Sequence, residues 1–594
     1  MRQILRVGLM VLLAAAAGVG SAWGEKKEYT DGNGVTWEYE EIEAGATCSI
    51  WPKDKNSISG LVEIPEAVVV NGVSIKVVEI GESAFHGCSG LTAVTIPGSV
   101  TQIWEEAFSG CSRLKALEVK SGNKNYCAES GVLFTKDKAT LICYPGGKLE
   151  ESYIIPEGVT QIGSAAFENC SGLKEVTIPS SVKAIGEYAF NGCSGLTAVT
   201  IPSSVTVIRI GSFSGCSGLK AVTIPDGVTV IGRYAFEACS GLTAVTIPSS
   251  VTEIRFFAFS GCSGLKKVTI PGSVTVIGMD AFSGCSGLKE VTISEGVTVI
   301  GGYAFSGCSG LTAVTIPGSV TRIGEYAFYT SGLKEVTISE GVTEIGDAAF
   351  YESGLEEVTI PSSVTKIGRW AFPLWLEAVY WLAKANCSVE DNAFEEIASL
   401  TLYVRQGEKA AIEANGQTWW KKFDKIEEGY VVTFKNSDGN KLCEQLVKPN
   451  NGTVTAPTAP TRKGYTFVEW QLDGKKYDFS KPVTQNITLV AKWKKKEEST
   501  PSTPKDPTDP KTAVESVQLA GVRVVRNPVG EVLELEGMER AARVEVYSMV
   551  GERVHAEALR GEPRVVIDAR GWASGVYLVR VVASDGAKTL RVVR

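Results

Sequence analysis

A unit of 23 residues repeats along this chain, and nothing else in the sequence restricts the fold as much. A typical copy reads C-S-G-L-T-A-V-T-I-P-S-S-V-T-V-I-G-R-Y-A-F followed by two variable residues, and copies run from about Cys88 to about Phe394. Phe167, Phe190, Phe213, Phe236, Phe259, Phe282, Phe305 and Phe328 step by 23, and Phe350, Phe372 and Phe394 step by 22. A period of this size predicts a solenoid whose coils bury their apolar faces only against their neighbours. Solenoids present long, regular surfaces that suit macromolecular binding. Catalysis needs irregular residues that a repeat rarely supplies.

Within one coil, Leu196, Val199 and Ile201 are spaced to point inward and Thr200 to point out, an alternation rich in β-branched residues. Pro202 ends this strand and Ser203-Ser204 makes a turn. A second extended run, Val205 to Ile208, follows, with Val205 and Ile208 inward. A segment such as Gly232-Arg233-Tyr234-Ala235-Phe236 then brings a small residue and an aromatic to the core, and Gly261 and its equivalents suit a tight corner. Each coil is expected to add one strand to a parallel sheet.

The outward strand positions form a candidate recognition face: Thr200, Thr223, Thr246, Thr269, Thr292 and Thr315, continued by Thr95, Thr177, Thr337 and Thr359. The same residues also read as solvated β-formers that only stabilise a sheet. The second run places Val207, Val230, Val276 and Val299 outward, a strip suited to protein contact if contiguous. Aromatics such as Tyr188, Tyr234, Phe256, Tyr303 and Tyr326 precede the Ala-Phe pair.

Several chemistries are poorly supplied. The 594 residues carry a net charge of -8, so a broad basic footprint for nucleic acid is absent. His86 and His555 are the only histidines, and no carboxylate pair or nucleophile turn stands out. The reading is therefore a non-enzyme with no catalytic, cofactor-binding or metal-ligating residues. Nine of the 14 cysteines (Cys88, Cys111, Cys170, Cys193, Cys216, Cys239, Cys262, Cys285 and Cys308) share one repeat position, three after the Phe. That register predicts a ladder of buried reduced thiols acting as small apolar fillers. Cys127 and Cys143 lie outside it and are candidates for a pair.

The flanks divide the rest. Residues 1–24 read as a secretory signal peptide, with Arg2 and Arg6 before an apolar run and cleavage after Gly24. No later stretch is long and apolar enough to span a bilayer. Residues 25–428 hold the solenoid. An irregular lead-in with Trp37, Tyr39, Ile50 and Trp51 covers its first coil, and an expanded coil carries a hairpin of Gly131–Phe134 with Thr140–Cys143. A cap is expected from a short helix over Lys409–Asn415 with Trp419, Trp420, Phe423 and Ile426. Residues 430–493 read as a small β domain, and 494–512 as a Pro- and Lys-rich linker, extended and semi-rigid. Residues 513–594 read as an antiparallel β-sandwich with strands over Val532–Glu536, Ala542–Ser548, Arg564–Asp568, Gly575–Val582 and Lys588–Val593.

Three segments resemble known families. The unit G-L-x-x-V-T-I-P-x-x-V-T-x-I-G-x-x-A-F resembles the BspA-type leucine-rich repeat of bacterial surface proteins, with Val and Ile where Leu is usual. The stretch P-T-R-K-G-Y-T-F-V-E-W followed by N-I-T-L-V-A-K-W is similar to the Listeria-Bacteroides repeat, an internalin B-repeat-like, ubiquitin-like fold. The last segment resembles the C-terminal sorting domain of the type IX secretion system, through Asn527-Pro528, the run to Gly551, Gly575-Val576-Tyr577 and a basic terminal strand from Lys588. Together they imply a mainly β protein with a leucine-rich-repeat-like solenoid, exported to the outer cell surface or beyond. The resemblance implies the type IX machinery as one partner. It implies an adhesin that binds host matrix or plasma proteins or other bacterial surfaces. The alternative is a non-adhesive envelope scaffold, or a protein that captures glycans or peptides.

Overall fold

The computed structural model describes residues 26–495, apart from 391, 395, 396, 398, 451 and 458. Beyond these it describes the segments 523–526, 532–536, 543–548, 553–558, 564–569, 576–583 and 586–593. The signal segment with Gly24, nearly all of the linker, and Asn527, Pro528, Gly551 and Gly575 lie outside the described residues. The described residues separate into two units at Lys494.

The first unit is the solenoid with its caps and the small β domain. Each regular coil contributes two strands, not the one expected. The L-x-x-V-T-I strands stack in parallel register, with Ala198, Val199 and Thr200 opposite Ala221, Val222 and Thr223. The short second run is itself a strand, because Val207 and Ile208 pair in parallel with Val230 and Ile231. The inward residues behave as their spacing requires: Leu196, Val199, Ile201, Val205 and Ile208 are all buried.

A third ladder runs through the turns. Phe190, Phe213, Phe236, Phe259, Phe282 and Phe305 are fully buried, and consecutive rings stack 5.2–5.5 Å apart, within 10° of parallel. Every second amide there donates to the next coil, as Phe236 N–H does to the Ala258 carbonyl at 2.8 Å. Two corner conformations make this possible. Gly261 lies at φ +72°, the left-handed region that glycine enters without strain. Gly264, in the S-G-L corner, has no room for a side chain, since a Cβ there would stand 2.5 Å from the Ser240 carbonyl.

The lead-in is regular, contrary to expectation. Lys27–Thr30, Thr36–Glu43 and Thr47–Pro52 form an antiparallel meander, whose third strand pairs in parallel with Val73–Ile80. Alternating Trp37 and Tyr39 face the core, and Trp37 meets Phe85 edge-on at 6.0 Å. The expanded coil holds three antiparallel strands, Tyr126–Glu129, Val132–Thr135 and Thr140–Cys143. It divides the core in two: Leu133 packs with the N-terminal cluster, while its neighbours Val132 and Phe134 pack with the main one. Tyr144 restarts the aromatic ladder by stacking on Phe167 at 5.2 Å. Cys127 and Cys143 are both free thiols. They cannot pair, because Val132–Thr135 lies between their strands, a separation of about two strand spacings, near 10 Å.

The far end is closed by the helix Lys409–Glu413 and the turn Trp419–Lys422, with Trp419 stacked on Trp381 at 4.5 Å. The strand Lys425–Lys435 then runs straight through the boundary expected at 429. Its first half continues the solenoid sheet beside Thr401–Arg405, and its second half pairs with Lys441–Val447 and Ile487–Lys495. Val432, Phe434, Trp470 and Leu489 are the core of this small domain.

The second unit is two antiparallel sheets. One orders Arg523–Arg526, Val532–Glu536 and Arg564–Asp568; the other orders Arg553–Ala558, Arg543–Ser548, Val576–Ala583 and Gly586–Val593. Leu533, Leu535, Val544, Val546, Val565, Ile567, Tyr577, Val579 and Val581 fill the space between. The strands Arg523–Arg526 and Arg553–Ala558 were not expected from the sequence. Lys588 lies on the terminal strand, opposite Val581.

Candidate functional site

The solenoid carries two threonine ladders with opposite fates. Those of the second run are held: Thr229, Thr252, Thr298, Thr321 and Thr343 donate their hydroxyls to backbone carbonyls of the preceding coil at 2.9–3.3 Å. Serines at the turn do the same, as Ser250 does to the Val228 carbonyl at 2.8 Å. Both sew coil to coil. The threonines of the first strand differ. Thr200, Thr246, Thr269, Thr292 and Thr315 are exposed and Thr223 is half-buried. Among the described residues none of these six hydroxyls has a hydrogen-bond partner within the chain. They face solvent in one row, at the spacing of the sheet, about 4.8 Å.

Beside this row, the second outward column changes along the solenoid. It reads Ala198, Ala221, Ala244, then Lys267 and Glu290, in continuous register. It goes on as Ala313 and Glu335, then Glu357 and Ala378. Lys267 and Glu290 pair across the rungs at 2.5 Å. The face is thus plain over three coils and acidic towards the C-terminal end.

That acidic end meets the small β domain. Leu446 of Lys441–Val447 packs on Ala378, Tyr380 and Leu382. Lys448 Nζ lies 2.5 Å from Glu357 and 5.8 Å over the stacked rings of Tyr380 and Tyr403, and Arg405 bonds Glu444 at 2.9 Å. Hydrogen bonds to Glu357 and Tyr380 hold the Lys448 ammonium above its usual range despite its partial burial. Between the domain and the rungs of Thr315, Thr337 and Thr359 lies a groove of about 870 Å³. Sequence reasoning missed it; the only signal was the change from Ala to Glu beside the threonines.

The valine strip is broken. Val207 and Val276 are exposed, but Glu253 stands opposite Val230 in the register. On the turn edge, Phe257 rather than Phe256 occupies the rung beside Tyr234, stacked at 5.1 Å, and Tyr303 stacks on Tyr326 at 4.7 Å. These rings cover one another and leave mainly their edges to solvent.

The thiol ladder is buried, and all its members are free. The thiols do more than fill space. Cys216, Cys239, Cys262 and Cys285 each donate to the carbonyl of the ladder Phe in the coil before, at 3.1–3.2 Å. Burial pushes Cys216, Cys262 and Cys308 up to about 12 and Cys193, Cys239 and Cys285 well above the ordinary thiol value. Such thiols are protonated and unreactive. No group of carboxylates, thiols and imidazoles that could hold a metal occurs among the described residues. No described helix is long and apolar enough to cross a membrane.

Comparison with known proteins agrees with this architecture. Residues 71–130, 143–266 and 252–374 match the BspA type leucine rich repeat region, in six copies. Residues 430–492 match the Listeria-Bacteroides repeat domain, and residues 526–593 the secretion system C-terminal sorting domain. The solenoid therefore belongs to the BspA-type leucine-rich repeat family, carried here with a type IX sorting domain that directs the chain to the cell surface or the extracellular space. Among solved structures, a leucine-rich repeat protein from Bacteroides ovatus ATCC 8483 is 28% identical, with 66% of this chain and 98% of that one covered and a TM-score of 0.46. A leucine rich cell surface protein from Faecalibacterium prausnitzii A2-165 is 26% identical over 67% of this chain and 100% of its own, with a TM-score of 0.37. The pneumococcal vaccine antigen PcpA is 18% identical over 68% of this chain and 99% of its own, with a TM-score of 0.39. No curated protein matches the chain.

Proposed function

We propose that this chain is a cell-surface adhesin, and that the exposed strand face of its solenoid binds a protein of the host matrix, of plasma or of another bacterial surface. The observation that carries this reading is the contrast between the two threonine ladders. One spends its hydroxyls on the preceding coil, whereas the other presents Thr200, Thr223, Thr246, Thr269, Thr292 and Thr315 to solvent without a partner. Export and the sorting domain put that face where a partner can reach it. A non-adhesive envelope scaffold is the second reading, favoured by the uniform Ala-Thr rungs from Ala198 to Thr246. The chemistry is that of a binder rather than a catalyst: the ladder thiols are buried, and Glu290 and Glu357 of the acidic end are held in ion pairs with Lys267 and Lys448. The proposed roles of residues 25–428 as binding body, 430–493 as a domain docked on its last coils and 513–594 as the sorting unit follow from the same division.

The test is a solid-phase binding assay of the purified chain against matrix proteins, plasma proteins and bacterial surface extracts. Saturable binding to a purified protein supports the adhesin. A folded chain that binds nothing supports the scaffold.

A further inference from the structure

The turn-edge ladder is interrupted between Phe108 and Tyr144. Before the break, Ser83, Phe85 and Gly87 donate their amides to the Glu105, Ala107 and Ser109 carbonyls at 3.1, 2.7 and 2.8 Å. After it, Ala165, Phe167 and Asn169 donate to those of Glu187, Ala189 and Asn191 at 2.9, 2.7 and 2.7 Å. The equivalent amides of Glu106, Phe108 and Gly110 have no acceptor among the described residues. The cause is a shortened turn. From Ile162 to Phe167 the chain takes five steps, but the expanded coil goes from Leu141, in register with Ile162, to Tyr144, stacked on Phe167, in three. The two residues it omits would have carried the next rung. What remains is a slot of about 180 Å³, with Glu106, Phe108 and Ser109 on one side and Cys143, Ser164 and Ala165 on the other.

Both walls carry unmet polar groups. By the repeat, the amides of Glu106, Phe108 and Gly110 point towards the missing rung. The Ser164 carbonyl opposite accepts no bond among the described residues, whereas its counterparts on Ile210 and Phe256 accept from the Tyr188 and Tyr234 amides at 2.8 and 3.1 Å. Ser109 is only 5% exposed, and its hydroxyl has no partner. Buried polar groups are costly unless something meets them. Water can meet these one at a time. A piece of main chain meets them together, as it does in the other coils. The volume lies below the roughly 300 Å³ at which sites for drug-sized ligands begin, so the side chains of an occupant must be small. Glu105 and Glu106 are exposed at the rim and in no ion pair among the described residues, which disfavours an anionic occupant.

We propose that this slot is a binding site, separate from the threonine face, for the tip of a turn of a protein partner built of Gly, Ala or Ser. The walls suit such a piece of main chain, because Gly163-Ser164-Ala165-Ala166 fills the corresponding place in the next coil. Carbonyls of the inserted turn accept from the Glu106 and Phe108 amides, and one of its amides donates to the Ser164 carbonyl. The site does not depend on the adhesin reading.

The experiment follows hydrogen exchange of the full chain by mass spectrometry, alone and with a capped Gly-Ser-Ala-Ala or Gly-Glu-Ala-Ala peptide. In the free chain the amides of residues 106–110 should exchange about tenfold or more faster than those of residues 83–87, which have acceptors. Gly-Ser-Ala-Ala should slow them saturably, and Gly-Glu-Ala-Ala should not. Ser164→Phe should abolish the slowing. Phe256 holds the same position in its own coil and lies against Arg233 of the coil before, so a ring there is compatible with the fold and reaches into the slot. Arg233→Phe, at the same position elsewhere, should leave the slowing unchanged. Equal exchange of the two segments in the free chain overturns the proposal, as does equal slowing by both peptides or slowing that survives Ser164→Phe. Fast exchange that neither peptide slows means that the slot holds water only, and overturns it too.

Discussion

Two stretches of the same solenoid solve one corner differently. In the 23-residue coils, Phe305-Ser306-Gly307-Cys308-Ser309-Gly310-Leu311 places a thiol three residues after the Phe. In the 22-residue coils, Phe328-Tyr329-Thr330-Ser331-Gly332-Leu333 and Phe350-Tyr351-Glu352-Ser353-Gly354-Leu355 place a serine there and drop one residue. Both side chains are buried, yet they fare differently. The Cys308 thiol donates to the Phe282 carbonyl at 3.3 Å, whereas the hydroxyls of Ser331 and Ser353 are buried without a partner. The ring ladder does not notice the change at first, with 5.3 Å between Phe305 and Phe328 and again between Phe328 and Phe350. The corner is therefore a replaceable peg, while the ring stacking persists, opening to 6.0 Å only between Phe350 and Phe372 and returning to 5.2 Å at Phe394. A thiol suits the peg because it is apolar enough to bury and long enough to reach the coil before, at little cost when the bond is poor.

The largest expected break in this comparison is alkaline. In the folded chain Cys216, Cys262 and Cys308 keep their protons to about pH 12, against an ordinary value of 9.0 for an exposed thiol. Above pH 9 the unfolded chain releases protons that the folded chain retains, so stability is fully present below pH 9 and falls as pH rises towards 12. Each such thiol contributes about 1.4 kcal/mol per pH unit over that window, and the ladder adds them. Hydrogen exchange read above pH 9 should show the coils around Cys216–Cys308 losing protection before the coils around Phe350 and Phe372. Simultaneous loss would remove the distinction.

Next comes the ring stack. Phe259→Ala removes a fully buried ring stacked on both sides and should cost about 3–5 kcal/mol, seen as a lowered denaturation midpoint. A change under 1 kcal/mol would show that the ladder is decoration.

The pegs follow. Cys262→Ala loses a buried thiol and its bond to the Phe236 carbonyl and should cost about 1–2 kcal/mol. The smallest effect has the opposite sign. Ser353→Ala removes a buried hydroxyl with no partner and should be neutral or stabilise by up to about 1 kcal/mol. If Ser353→Ala costs as much as Cys262→Ala, the serine is held by a bond, and the contrast between the two corners fails.

Much of this was legible in the sequence because a repeat states its own register. The inward Leu196, Val199, Ile201 and Ile208 and the corner at Gly261 follow from alternation and period, and the cap at Trp419 from the aromatics that stand where the repeat has ended. The second sheet was harder, since Val207-Ile208 is two residues long and gains strand character only by stacking in register. The regular lead-in was missed for the opposite reason: its strands occur once, so no copy confirms them. Of the face, the threonine row was legible, but its difference from the second threonine row was not. That difference depends on which hydroxyls reach a carbonyl of the preceding coil. The groove was hidden for a topological reason. It is built by a strand that crosses the expected boundary at 429, bringing residues 442–448 over Thr315–Thr359, and local pattern carries no record of that juxtaposition.

The most direct test of the central claim, that the outer strand face is a protein-binding surface, compares two triple variants of the exported chain. One carries Thr200→Lys, Thr223→Lys and Thr246→Lys on the strand face; the other carries lysine at Val207, Val230 and Val276 on the second-sheet face. Both should fold, since four of the six positions are exposed and the other two, Thr223 and Val230, are half-buried on outward faces, and substitutions at exposed sites change stability by about 0.5 kcal/mol or less each; circular dichroism of each variant checks it. In a binding assay with the captured protein ligand, the account predicts that the first variant loses binding at least tenfold and that the second keeps it. Retained binding by the first variant, or loss by the second alone, would contradict it.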